Sequence, residues 1–328
     1  MKKSLLLKTV YTVSSAGLFV LMFILSRNNY VLFHSFIEMF AIVTACGVFM
    51  IAFHSRAYVQ NQFFILIGIS FLFVACLDFL HLLAYKGMGV FPGNDPDLPT
   101  QLWIASRYLH AISFLAAPVF LSVTVKIRNL FFIYTTVTIC LILSIFLWEV
   151  FPACFITGSG LTPFKIVSEF VISVILLIAI ISVSGNKERF DKSVFSLFIA
   201  SMLTTIASEM AFTLYTDVYG FSNFIGHILK LIAYGLIYKA VIHTGLKRPY
   251  DLLFRELKQN EEELLKALSE IKTLHGILPI CANCKKIRND EGYWQKVEEY
   301  ISEHTDAKFS HGICQSCAEK LYPDVFKK

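Results

Sequence analysis

The residues best equipped for chemistry in this 328-residue chain lie inside long apolar runs. His34 and Glu38 are four apart, and Asp78 with His81, Arg107 with His110, and His227 with Lys230 are each three apart. On an α-helix those spacings put both members of a pair on one face. Glu169 and Glu209 are further carboxylates within apolar stretches. An ionisable group at membrane depth is costly to bury and marks a functional site by default. At 1.5 Å of rise per residue, each group lies roughly 5–14 Å from the outer end of its run, although successive runs alternate in direction. The pattern predicts one polar site in the outer half of a helical bundle, built from His34, Glu38, Asp78, His81, Arg107, His110, Glu209 and His227. Neutral imidazole binds Fe, Cu or Zn, so His34, His81, His110 and His227 are candidate ligands for a metal or a haem iron. A plainer reading is a set of ion pairs between helices, Arg107 with Glu38, Asp78 or Glu209. A proton relay through the same groups is a third, weakened by the scarcity of polar residues toward the other side.

A second constellation stands near the C-terminus. Cys281-Ala-Asn-Cys284 and Cys314-Gln-Ser-Cys317 form two CxxC pairs. The two-residue gap lets both sulfurs of a pair reach one ion, and four thiolates suit tetrahedral zinc. A module of about 50 residues rarely builds a sufficient core, so a metal would supply folding free energy. A redox dithiol pair or an iron–sulfur site would use the same residues. Between the pairs, Tyr293, Trp294, Val297, Tyr300 and Ile301 fall at helical spacing and predict the inner face of a short helix. Lys285, Lys286 and Arg288 are followed by Asp290 and Glu291, which disfavours nucleic-acid binding.

The elements that must hold these residues follow from composition. The chain is 56% hydrophobic and only 16% charged, whereas a soluble domain carries about a quarter charged residues. Disordered and disulfide-dense secreted classes are excluded. Eight apolar runs approach the roughly 20 residues that cross a bilayer: 10–26, 31–53, 62–85, 101–125, 130–151, 164–184, 193–216 and 223–243. The first follows Lys2 and Lys3 but leads into Leu25-Ser26-Arg27-Asn28, with no small-residue cleavage site, and reads as an uncleaved anchor. If the N-terminus is inside, the inner segments hold Lys2, Lys3, Lys8, Arg56, Lys126, Arg128, Lys187, Arg189, Lys192, Lys239, Lys247 and Arg248. The outer segments then hold Arg27, Lys86 and Lys165. This bias places both termini in the cytoplasm. Through residue 246 there are 15 Lys and Arg against 10 Asp and Glu, and from Lys247 onward 14 against 14. The net charge of +5 therefore reports topology, and the neutral, charge-dense tail is soluble.

Past Lys247-Arg248-Pro249, residues Tyr250, Leu257, Leu264, Ile271 and Leu278 recur every seven, with Leu253, Asn260, Ala267 and Leu274 between them. This is an a/d heptad frame, in which Asn260 would fix register. It predicts a homodimeric coiled coil through 250–278. The expected architecture is thus an all-α polytopic membrane protein: an eight-helix bundle over 1–246, a signalling helix over 247–278 and a four-cysteine zinc-binding module over 279–328.

The segments His34-Ser-Phe-Ile-Glu38, Asp78-Phe-Leu-His81, Arg107-Tyr-Leu-His110 and Gly226-His227 resemble the third class of bacterial membrane-associated sensor (MASE) domains, over about residues 10–245. The tail, with Leu-Pro-Ile-Cys281-Ala-Asn-Cys284 and Phe309-Ser-His311-Gly-Ile-Cys314, resembles a small cysteine module found at the C-termini of bacterial sensor and receiver proteins. The resemblance implies a signal-transduction sensor in the bacterial inner membrane, surrounded by lipid. Its partner would be a cytoplasmic signalling protein: a kinase, a cyclase or a regulator. The chain carries no recognisable kinase, cyclase or hydrolase motif. The alternatives are a transporter or intramembrane oxidoreductase that handles protons or electrons, and a regulatory or assembly subunit anchored by the bundle.

Overall fold

Several helices of the bundle begin at a side chain that satisfies a free amide of the first turn. Asn29 accepts from the Leu32 amide (3.0 Å) at the start of α2. Thr162 accepts from the Lys165 amide (3.2 Å) ahead of Pro163 at the start of α6. Asp191 accepts from the Ser193 amide (2.8 Å) at α7. These are N-caps of the expected residue types, and proline suits the first helical turn because its missing N–H has no partner there. The computed structural model describes residues 2–56, 62–92, 95–123, 125–214, 219–242, 257–266, 278–289, 291–305 and 307–326. The chain divides into two units, Met1–Leu252 and Leu253–Lys328.

The first unit comprises α1 (Lys2–Asn28), α2 (Tyr30–Ser55), α3 (Gln62–Ala84), α4 (Asp97–Ala116), α5 (Ile127–Phe146), α6 (Pro163–Gly185), α7 (Lys192–Phe212) and α8 (Phe221–Ile242). Seven segments, α2 to α8, are long and apolar enough to cross a membrane. The chain is therefore a mostly helical, multi-pass membrane protein. The eighth predicted crossing, 10–26, falls on α1, whose described apolar part is the shorter stretch Ala16–Asn28. The fourth crossing extends from Asp97 through a 3-10 turn to Leu121, displaced toward the N-terminus from the predicted 101–125.

Helices α2, α3, α4, α6, α7 and α8 pack in a closed circuit, each on the next, with α8 returning to α2. Helix α5 packs on α3, and α1 on α2. Helix α3 is the most buried of the spans, and apart from Ser70, Asp78 and His81 its buried residues are apolar or glycine. Close approaches depend on small residues: a Cβ at Gly68 would fall 2.4 Å from the Cβ of Ala52. We call the end where α2, α4, α6 and α8 begin the top. There a hairpin, β1 (Phe155–Ile156) with β2 (Gly160–Leu161), fills the loop between α5 and α6. The Asp97 carboxylate accepts from the Cys154 and Phe155 amides (2.6 and 2.7 Å) and pins that loop to α4.

In the second unit residues 257–266 are helical (α9). Leu257 and Leu264 on α9 are exposed. The remainder of the predicted 250–278 seam, apart from Asn260 and Leu278, lies outside the described residues. The cysteine module contains a hairpin of β3 (Ile287–Arg288) and β4 (Trp294–Gln295), then α10 (Val297–His304), α11 (Gln315–Leu321) and α12 (Pro323–Phe326). Tyr293 and Trp294 are not on a helix, contrary to the periodicity. Gly292 turns the chain at a φ of +89°, its amide donating to the Asn289 carbonyl (2.9 Å), and so makes a hairpin of that stretch. Both aromatic side chains are exposed, while Tyr300 on α10 is buried.

Candidate functional site

The polar side chains of the bundle meet near the top in layers. The uppermost layer holds His34 from α2, His81 from α3 and His227 from α8. The His34 and His81 Nε2 atoms are 3.2 Å apart. The His34 ring stacks on Tyr85 at 3.5 Å between centroids and meets His227 edge-on at 4.8 Å. The Nδ1–H of His81 donates to the Pro99 carbonyl (2.7 Å), and that of His227 to the Asn223 carbonyl (2.8 Å). A carbonyl only accepts, so both rings turn their Nε2 atoms toward the centre. Glu38, one turn below His34, brings Oε1 within 3.6 Å of His227 Nε2.

The next layer is an ion-pair network. The Arg107 Nη2 group donates to both oxygens of Asp78 (2.7 and 2.8 Å). Ser106 and Tyr234 donate to the same carboxylate (2.5 and 3.1 Å). Lys230 bridges the two layers, its Nζ lying 2.6 Å from Glu38 Oε2 and 3.2 Å from Asp78 Oδ2. Every one of these charges is almost fully buried. Buried charges persist only when paired and hydrogen-bonded, and here two cations face two carboxylates.

A third cluster adjoins them. Lys165 pairs with Glu169 one turn along α6 (2.9 Å), and the Glu209 carboxyl of α7 lies beside Glu169. Trp103 joins the clusters. Its Nε1–H donates to Glu169 (3.2 Å), and its ring lies 4.7 Å from the Arg107 guanidinium and 4.5 Å from the Lys230 ammonium.

Of the residues predicted from spacing, His34, Glu38, His81 and His227 converge on one point, and Asp78 and Arg107 form the layer beneath. Glu209 belongs to the α6–α7 cluster. His110 does not join the histidines. It lies in an aromatic nest of Phe71, Phe114 and Tyr234, because three residues beyond Arg107 carry it about 4.5 Å deeper along α4. Lys165, assigned to an outer loop from the charge pattern, is buried in α6. Its spacing of four from Glu169 was the available signal. Tyr234 is a further member, four residues beyond Lys230 and so on the same face. Ser106 and Trp103 had no comparable marker.

The cysteines of the tail sit on two different frames. Cys281 and Cys284 bracket a tight turn closed by the Lys285 amide on the Cys281 carbonyl (3.0 Å), with Lys285 at a φ of +60°. Cys314 is the N-cap residue of α11 and Cys317 lies in its first turn. Hydrogen bonds from the Ser316 hydroxyl and the Cys317 amide draw the Cys314 thiol down to about 7. Amides of Cys284 and Asn283 lower that of Cys281. Lowered thiols suit metal ligation and redox chemistry alike. Among the described residues, the group of His, Cys, Asp or Glu side chains placed so that it could hold a metal ion is His34, Glu38, His81 and His227, whose ligand atoms all lie within 4.8 Å of one another; the four sulfurs do not form such a group.

A helical membrane bundle with a charged interior and a small cysteine-bearing tail defines a class of multi-pass membrane proteins with a built-in polar site. The model of the membrane-associated sensor domain family MASE3 matches residues 25–249, and the chain belongs to that family. The match stops short of the cysteine module. No curated protein and no solved structure matches the chain significantly.

Proposed function

We propose that this membrane sensor takes its input at the polar centre near the top of the bundle and delivers its output through the tail to a cytoplasmic signalling protein. The observation that carries the reading is the position of His227 and Lys230. Both are on α8, the last crossing before residues 247–278; Lys230 ties that helix to α2 and α3 through Glu38 and Asp78, and the His227 ring faces Glu38 beside it. A change of occupant or charge at the centre therefore bears on the helix that leads into the tail. For signalling, the occupant must bind two packings of the helices with different affinity.

In this reading residues 250–278 pair with a second copy as a parallel coiled coil, for which exposed Leu257 and Leu264 are suitable seam residues. Cys281, Cys284, Cys314 and Cys317 hold zinc. The fit rests on their chemistry, one pair in a tight turn and one in the first turn of a helix, with the Cys281 and Cys314 thiols lowered. Zinc there would cross-link the two halves of a module with little core of its own. The topology is that of a bacterial inner-membrane protein with both termini in the cytoplasm, α1 being the eighth crossing. In this reading the cytoplasmic partner supplies the kinase or cyclase activity of the output.

The test is complementation of a deletion strain of the source organism, read by its transcript profile. Chains with His227→Ala and with Cys314→Ser, each produced at wild-type level, are expected to leave the deletion profile in place. His110→Ala is expected to restore the wild-type profile. Full restoration by the His227 variant would overturn the sensor reading.

A further inference from the structure

We infer that His34, His81, His227 and Glu38 form a binding site for one divalent transition-metal ion. This names the ligand of the polar centre and builds on the sensor reading above. The four residues offer one ligand atom each, all within 4.8 Å of one another. A tetrahedral ion with bonds of about 2.0–2.1 Å spaces its ligand atoms about 3.4 Å apart. The His34–His81 nitrogen pair is at 3.2 Å and the His227–Glu38 pair at 3.6 Å.

The orientation of the ligands points the same way. The Pro99 and Asn223 carbonyls take the Nδ1 protons of His81 and His227, so each Nε2 presents a lone pair inward. Lys230 holds Glu38 by Oε2 and leaves Oε1 to the centre. Metal-binding histidines and carboxylates are characteristically oriented by such outer hydrogen bonds. Glu38 Oε1 and His227 Nε2 are both buried without a hydrogen-bond partner. Two acceptors facing each other repel unless a cation lies between them, and burial without a partner is costly for each.

The donor set and the space choose the class of ion. Three imidazole nitrogens and one carboxylate suit Zn²⁺, Cu²⁺, Ni²⁺, Co²⁺ or Fe²⁺, whereas Ca²⁺ and Mg²⁺ prefer oxygen alone. A cavity of about 30 Å³ runs from Lys86 and Pro96 at the top to His81 and His227. That is room for about two water molecules, enough for an ion stripped of most of its hydration shell and too small for a porphyrin, so the centre does not fit a haem.

The experiment uses the full-length, detergent-solubilised chain with Cys281, Cys284, Cys314 and Cys317 all changed to Ser, which removes the thiols of the tail. After loading with Co²⁺ and gel filtration, elemental analysis is expected to find about one ion per chain. Visible d–d bands should appear without thiolate-to-metal charge transfer. His227→Ala and His34→Gln in the same background should each lower affinity at least about tenfold, and His110→Ala should leave it unchanged. Absence of bound ion in the chain without the tail thiols overturns the inference without any ligand variant, as does undiminished binding by His34→Gln and His227→Ala chains that still elute as folded protein. Metal binding combined with normal signalling by His227→Ala would keep the site and overturn the sensor reading instead. Lost signalling with no bound metal would do the reverse.

Discussion

At the scale of the residue, Trp103 has the most distinctive position, since one side chain serves three charges. Its N–H answers the Glu169 carboxylate while its ring face lies against Arg107 and Lys230. A hydrogen bond to a buried charged group contributes about 1.5–3 kcal/mol, and a desolvated cation over an aromatic face up to about 2 kcal/mol. Trp103→Phe keeps the face and loses the donor; Trp103→Leu loses both. Thermal unfolding in detergent should therefore rank wild type above Trp103→Phe above Trp103→Leu. Equal melting of wild type and Trp103→Phe would show that the bond to Glu169 contributes nothing. Much of this centre could be read from spacing. His34 with Glu38 and His227 with Lys230 declare a shared face because the helical repeat makes them neighbours. Spacing along one helix does not reveal which helix lies opposite, so the convergence of His34, His81 and His227, and the exclusion of His110, needed the packing.

At the scale of the element, α7 and α8 approach closely through Gly226. A Cβ there would fall 2.5 Å from the Phe212 ring, which in turn lies 5.1 Å edge-on from the His227 imidazole. Ser208 donates to the Gly226 carbonyl (2.8 Å) across the same contact. Gly226→Ala should destabilise the bundle by about 1–3 kcal/mol, the usual cost of overpacking, read as a lower melting temperature. Gly235 on the same helix has nothing within 4 Å of its notional Cβ. Gly235→Ala should be neutral or raise stability by up to about 1 kcal/mol, since alanine is the better helix former. A matching loss at both glycines would mean that helix propensity, and not contact, controls the pair. The crossings themselves were legible as apolar runs, and their start points moved by a few residues, as at Asp97 behind Pro96 and at Ile127. Tyr293 and Trp294 misled because their helical spacing was coincidental and Gly292 alone carried the turn.

At the scale of the whole molecule, the cysteine module should make the chain's metal content depend on pH. Zinc binds thiolate, and the proton competes for each sulfur. The Cys314 thiol, drawn down to about 7 by the Ser316 hydroxyl and the Cys317 amide, is largely ionised above that value and protonated below it. Zinc retained at about pH 8 should thus be released progressively as the pH falls below about 7, measured with a chromogenic chelator on the full-length protein. Occupancy unchanged down to about pH 5 would show that the thiols do not hold the ion. The bundle adds a consequence in time. His34 and Glu38 are wholly enclosed, and the cavity that reaches the neighbouring His81 and His227 holds about two waters. Anything lodged between those side chains leaves only when neighbouring helices part, a motion of microseconds to seconds that recurs less often the better the helices pack. If the input lodges there, such a receptor would not follow rapid fluctuations of its surroundings. It would average them, and the helices around His34 and His227 would set the length of its memory.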